Sequence, residues 1–159
     1  MSQNIIPCKS VLNIEIKKKI RDWIYHKSDI HHAVEFLSSE CQIQITSDPD
    51  VVKGFERDSS NIPGNAEILC YPKNDNECSV ILTYCQGAKI PLTIAAGRTN
   101  LNGSATPNGG MVMSIEKMTQ PGPKLNLNTG CISSPVGIYL EDMRNAALQQ
   151  SHNRLHFPV

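Results

Sequence analysis

The sequence predicts an α+β fold, with N-terminal helices followed by a β-α-β unit and a mixed sheet. Three observations carry that expectation. Leu12, Ile16, Ile20, Trp23 and Ile24 recur at helical spacing. Short apolar runs at residues 66–71, 91–94 and 111–115 have the length of buried strands and are bounded by turn formers. Between the first two runs, Cys78, Ile81, Leu82 and Cys85 mark one face of a helix over residues 74–86.

Taken in order, the chain opens with that first amphipathic helix, whose Lys17, Lys18, Lys19 and Arg21 fall on the other faces. A basic helix face is usually solvated, and that reading is preferred here to a phosphate or membrane contact. Ser28 or Asp29 can cap a second helix carrying Ile30, Ala33, Val34 and Leu37, expected to pack on the first. His31 and His32 are neighbours that face different ways on such a helix and form no pair. Residues 42–46 place Ile43 and Ile45 on one side of a short extended segment. Ser47, Asp48 and Pro49 are helix-start chemistry, and residues 58–63 form a polar connection.

The strand at 66–71 ends at Pro72, the helix at 74–86 stops at Gly87, and the strand at 91–94 follows. Such a unit makes parallel strands. A loop over residues 95–110 therefore starts at the carboxyl end of a parallel strand, where ligands of open α/β sheets gather. Beyond the strand at 111–115, Pro121, Gly122 and Pro123 make a turn, and residues 125–133 are expected to continue the sheet. Leu140, Met143, Ala147 and Leu148 mark a last helix over residues 137–150.

A length of 159 residues fits one domain. Fifteen basic and fifteen acidic residues cancel, which leaves no general field for nucleic acid or anionic lipid, so any anion affinity is local. No run approaches the roughly eighteen apolar residues of a membrane span, and charges interrupt every candidate signal segment. The expected location is the cytoplasm. Cys8, Cys41, Cys70, Cys78, Cys85 and Cys131 show no C-x-x-C spacing and suit the reduced thiols of such a compartment. His152 and His156 are four apart without a suggested third ligand, and polar surface is the reading preferred to a metal site. Tyr139, Glu141 and Asp142 have no nucleophile or base nearby in sequence, and no catalytic role is assigned to them.

The chemistry concentrates in the loop. Gly97, Asn100, Asn102 and Gly103 tolerate left-handed backbone, which lets successive N–H groups face one concavity suited to an anion, with the hydroxyls of Thr99 and Ser104 beside them. Spacing excludes a P-loop, because Gly97 and Gly103 are followed by no Gly-Lys-Ser/Thr sequence. It also excludes the Rossmann fingerprint, since the loop passes through Pro107, Asn108, Gly109 and Gly110 into a strand rather than a helix. The competing reading is a long connection with Asn-Gly turns at Asn102-Gly103 and Asn108-Gly109.

The run Ala96, Gly97, Arg98, Thr99, Asn100, Leu101, Asn102, Gly103, Ser104, after KIPLTIAA and before NGGMVMSIEKM, resembles a known loop. It is similar to the pyrophosphate loop of the p-cresol-methylhydroxylase-type FAD-binding domain of the vanillyl-alcohol oxidase superfamily. Within it, the glycolate oxidase subunits and D-lactate or D-2-hydroxyacid dehydrogenases are most alike. The resemblance implies FAD as cofactor, held by Ala96, Gly97, Arg98, Thr99, Asn100, Leu101, Gly103 and Ser104, with no catalytic or metal-binding residue in this chain. Arg98 departs from the family, which commonly has a small or amide residue there; its guanidinium could pair with a phosphate or point to water. Arg57, Asp58 and Ser59 match the family's lead-in, with a structural role. The resemblance further implies residues 1–48 as a helical extension and 49–159 as the front of a flavin domain. The ring contacts and a substrate domain would lie on further polypeptide, in the same or a separate chain, and an uncovered face would favour self-association. The implied activity is oxidation of a 2-hydroxy acid; an inert module that keeps the fold without flavin is the alternative.

Overall fold

The computed structural model describes residues 12–26 and 29–157. Cys8 and Ser28, named above, lie outside the described residues. The first helix, α1, runs over Ile14–His26, and Ile20 on its apolar stripe is buried. The second, α2 (Ile30–Glu35), is capped by Asp29, whose carboxylate accepts from the His32 N–H at 2.8 Å. Trp23 stacks on His32 with ring centroids 4.8 Å apart, which joins the two helices as expected. A π-type turn, Phe36–Glu40, leads to strand β1 (Gln44–Thr46). Asp48 then caps a short helix, α3 (Pro49–Val52), with Pro49 in its first turn, and a 3-10 turn, Lys53–Phe55, completes it.

Strand β2 (Ile68–Tyr71) is buried along its whole length, and its side chains alternate between two cores. Ile68 and Cys70 join Ile20, Phe36, Leu37, Ile81, Tyr84 and Met111 on one side. Leu69 and Tyr71 join Val52, Phe55, Ala95 and Val112 on the other. Each large side chain buried this way contributes about 1.5–3 kcal/mol, so Ile20→Ala would weaken the junction between the first helix and the sheet. Helix α4 (Asp75–Ala88) follows, capped by Asn74, which accepts from the Glu77 N–H at 3.0 Å. Gly87 does not stop it. The helix runs one residue further and ends on Lys89 in the left-handed conformation. Gly87 instead serves packing, since a Cβ there would come within 2.8 Å of Ile24 on α1.

Strands β3 (Leu92–Ala95) and β4 (Met111–Ser114) complete a four-stranded sheet of order β1-β2-β4-β3. β2, β4 and β3 are parallel, and β1 is antiparallel to β2. The β-α-β unit is present as expected, but β4 is inserted between its two strands. The fold is α+β with a mixed sheet, and residues 96–110 form a helix-free crossover that carries the chain back to the amino end of the sheet. The segment expected to prolong this sheet does not do so. β5 (Lys124–Asn126) and β6 (Cys131–Ser133) pair only with each other as an antiparallel hairpin. Asn126 explains the tight connection: its side chain accepts from the Asn128 and Thr129 N–H groups, and Gly130 follows at φ +71°. Helix α5 (Leu140–Gln150) packs on this hairpin, with Gln150 accepting from the Leu125 N–H at 2.9 Å.

Candidate functional site

The crossover has two unlike halves. From Ser104 onward its backbone is tied to the protein. Ser104 N–H donates to Asn102, Ala105 N–H to Asp58 at 3.2 Å, Thr106 N–H to the Gly103 carbonyl, Gly109 N–H to the Asn65 carbonyl, and Gly110 N–H to Glu67. Across residues 97–103, in contrast, no backbone N–H donates to an acceptor among the described residues. A row of amides left open in a loop is what an anion needs.

Asp58 holds this half in shape from the lead-in segment. The residue is only 6% exposed, and its carboxylate accepts from the Ser60 hydroxyl, the Ser60 N–H at 2.9 Å, the Asn100 side-chain amide and the Ala105 N–H. The Ser60 hydroxyl above all, helped by the other donors against the opposing effect of burial, pulls the Asp58 carboxyl down to about 2. Next to it, Ser59 donates from both its N–H and its hydroxyl to the Arg98 carbonyl, at 3.0 and 3.1 Å. Asn100 and Asn102 bond each other inside the loop, which fixes its curvature. Asp58 followed two residues later by Ser60 is an Asx-turn pattern, a signal in the sequence that pointed to local order but not to its target 42 residues away at Asn100.

Most predicted residues sit on this half, with Ala96 just before it and Ser104 the first of the tied half. Ala96, Gly97, Thr99, Leu101 and Ser104 are exposed, while Arg98, Asn100 and Gly103 are half-buried. Gly103 has φ +76°, where a Cβ is strained. Gly97 does not; a Cβ there would have only the Thr99 methyl, 3.9 Å away, within reach. The hydroxyls of Thr99 and Ser104 make no hydrogen bond among the described residues. The Arg98 guanidinium does not simply point to water: Nη1 donates to the Gly54 carbonyl, and the group lies over the Phe55 ring, 4.1 Å from its centroid.

The start of the loop opens on a cleft of about 530 Å³ at the carboxyl end of β3 and β4. Ala96 and Gly97 line one wall, Glu116 and Lys117 another, and Tyr139 and Asp142 at the start of α5 a third. Sequence spacing gave no reason to join Tyr139 and Asp142 to the loop; the hairpin between them sets that proximity. A larger cleft, about 730 Å³, lies between the start of α4 and the hairpin and touches none of the predicted residues. Size is therefore the poorer guide here, because the smaller cleft is the one continuous with open amides.

A family model described as an FAD binding domain matches residues 66–155, more than half of the chain. The chain belongs to this FAD-binding family. FAD is accordingly its cofactor, and the loop fits that group: open amides face no protein acceptor, and the backbone at Gly97 has room for a phosphate to approach. This FAD-binding domain is 30% identical over 92 residues to a D-lactate dehydrogenase of Archaeoglobus fulgidus, covering 57% of the chain and 20% of that relative. In fold it is similar to a xylooligosaccharide oxidase from Myceliophthora thermophila, in complex with xylobiose, at a TM-score of 0.59 and 11% identity. A chitooligosaccharide oxidase gives the same TM-score at 12% identity. Each of these two alignments covers 74% of the FAD-binding domain's chain and 25% of the oxidase. The chain thus spans a quarter or less of the proteins it matches. No helix among the described residues is long and apolar enough to cross a membrane.

Proposed function

We propose that the loop of Ala96, Gly97, Arg98, Thr99, Asn100, Leu101, Gly103 and Ser104 holds the pyrophosphate of FAD in an oxidoreductase that oxidises a 2-hydroxy acid such as D-lactate or glycolate. The observation that carries this reading is the row of open amides at the carboxyl end of a parallel strand, inside a segment that matches an FAD-binding family. The D-lactate dehydrogenase likeness supports the substrate class. FAD, when bound, supplies acceptance of the hydride from the substrate carbon. The residues of this chain bind and orient it: the amides and the Thr99 and Ser104 hydroxyls neutralise phosphate charge, while Asp58 keeps the loop from collapsing onto those amides. Residues 1–48 serve as a helical extension, and residues 49–159 as the first part of the flavin domain.

On this reading the 159 residues offer one wall of the site in a cytoplasmic enzyme. Further polypeptide covers the flavin ring and carries the substrate groups. Leu101 at 79% exposure and Tyr139 at 76% lie on the wall left uncovered, which favours self-association of the isolated chain. The test is purification followed by FAD titration. Flavin absorbance that co-elutes with the chain, weak alone and strengthened by added downstream polypeptide, supports the reading. Protein that stays colourless in both arms identifies an inert module. A monodisperse monomer that binds FAD tightly and turns over a 2-hydroxy acid contradicts the one-wall reading.

A further inference from the structure

Arg98 stands at φ +53°, in the left-handed region that residues with a Cβ enter at a penalty. Two holds offset that penalty, one on its backbone and one on its side chain. On the side chain, the guanidinium donates to the Gly54 carbonyl, at the 3-10 turn, and lies over the ring of Phe55. Phe55 is itself fixed, 8% exposed and edge-on to Tyr71 of β2 with ring centroids 6.0 Å apart. The Arg98 carbonyl is held separately by Ser59. A staple therefore runs from the sheet through Phe55 and the guanidinium to the middle of the open half of the crossover.

We propose that Arg98 is a positioning residue: it holds its own left-handed backbone, and with it the course of residues 97–103 that keeps their amides open, and it does not itself pair with the phosphate. The inference rests on the reading that this loop holds FAD, but the staple exists without the cofactor. A cation held over a ring and bonded to a carbonyl can offset a backbone penalty of the same order. Glycine has no such penalty, so the staple becomes dispensable if residue 98 has no side chain.

The experiment compares Arg98→Ala, Arg98→Gly and Phe55→Leu with the parent, by hydrogen exchange of the Ser59 N–H, which is bonded to the Arg98 carbonyl, in flavin-free protein and by FAD titration. Arg98→Ala loses the staple and keeps the penalty, so the Ser59 N–H should exchange about tenfold faster and FAD affinity fall about tenfold. Arg98→Gly should fall between parent and Arg98→Ala in both measurements. Phe55→Leu should move both in the direction of Arg98→Ala, and the Phe55→Leu, Arg98→Ala double variant should be no worse than Arg98→Ala. Equal loss of affinity in Arg98→Ala and Arg98→Gly, with Phe55→Leu unchanged, would assign the guanidinium to the phosphate and overturn the proposal. Unchanged Ser59 exchange in all variants would overturn it as well. If no variant binds FAD yet exchange follows the stated order, the staple stands and the FAD assignment of the loop fails.

Discussion

The two halves of the crossover differ in what their backbone does. In residues 104–110 the amides of Ala105, Gly109 and Gly110 are spent on Asp58, Asn65 and Glu67, and those of Ser104 and Thr106 on Asn102 and Gly103, whereas residues 97–103 keep theirs open. The first arrangement is a scaffold, and the second is the one proposed above to receive the pyrophosphate. On that proposal, an anion loop of this length needs no helix N-terminus behind it. It needs one half anchored firmly enough that the other can stay unbonded without collapsing.

The largest effect should come from breaking the anchored half. At Gly110, φ is +71° and a Cβ would lie 2.3 Å from the Pro91 carbonyl oxygen, so Gly110→Ala combines backbone strain with a clash against β3's entry. A loss of about 2–6 kcal/mol in denaturant unfolding is expected. Wild-type stability in that variant would show that the far end of the crossover is not its anchor.

Next come the two glycines of the open half, which sharpen the contrast because their surroundings differ. Gly103→Val puts a β-branched residue at φ +76° and should lower thermal stability and FAD affinity together. Gly97→Val meets no protein atom closely and should leave the melting temperature within a degree or so of the parent while abolishing FAD binding. Equal FAD affinity in Gly97→Val and the parent would place the cofactor elsewhere.

A smaller effect links the halves through pH. The Asp58 carboxyl is pulled from an ordinary value of 3.8 to about 2 by the Ser60 hydroxyl and its fellow donors. A depressed carboxyl stabilises the folded loop fully above the unfolded value, and that contribution fades as pH falls from about 4 towards 2. Thermal melts over that window should decline more steeply for the parent than for Asp58→Asn; parallel curves would remove Asp58 from the account. The smallest effect belongs to Thr99→Ala, which deletes one hydroxyl among many amides and should weaken FAD only a few-fold, about 0.5–1.5 kcal/mol in a titration.

Much of this was legible in the sequence, for physical reasons. The first helix, the second with its Asp29 cap, and the β-α-β unit follow from local periodicity and capping chemistry, which the chain carries residue by residue. The insertion of β4 between β2 and β3 was not, because strand order depends on where a loop without internal structure returns the chain. For the same reason residues 125–133 read as a continuation of the sheet although they close on themselves around Asn126. The loop read as an anion cradle from its glycines and asparagines, and its amides are indeed unbonded among the described residues. What fixes it was not: Asp58 and the Phe55 ring act across long sequence separations, and Arg98 looked like a phosphate ligand or a solvated charge while its guanidinium is bound to Gly54.

The measurement closest to the central claim is amide-resolved NMR of the chain during titration with FAD, and in parallel with inorganic pyrophosphate. The account predicts that the N–H resonances of residues 97–103 shift with either ligand, while those of Ala105, Gly109 and Gly110, already bonded to protein, stay in place. Shifts confined to the cleft between α4 and the hairpin, or none in the loop at saturating FAD, would contradict it.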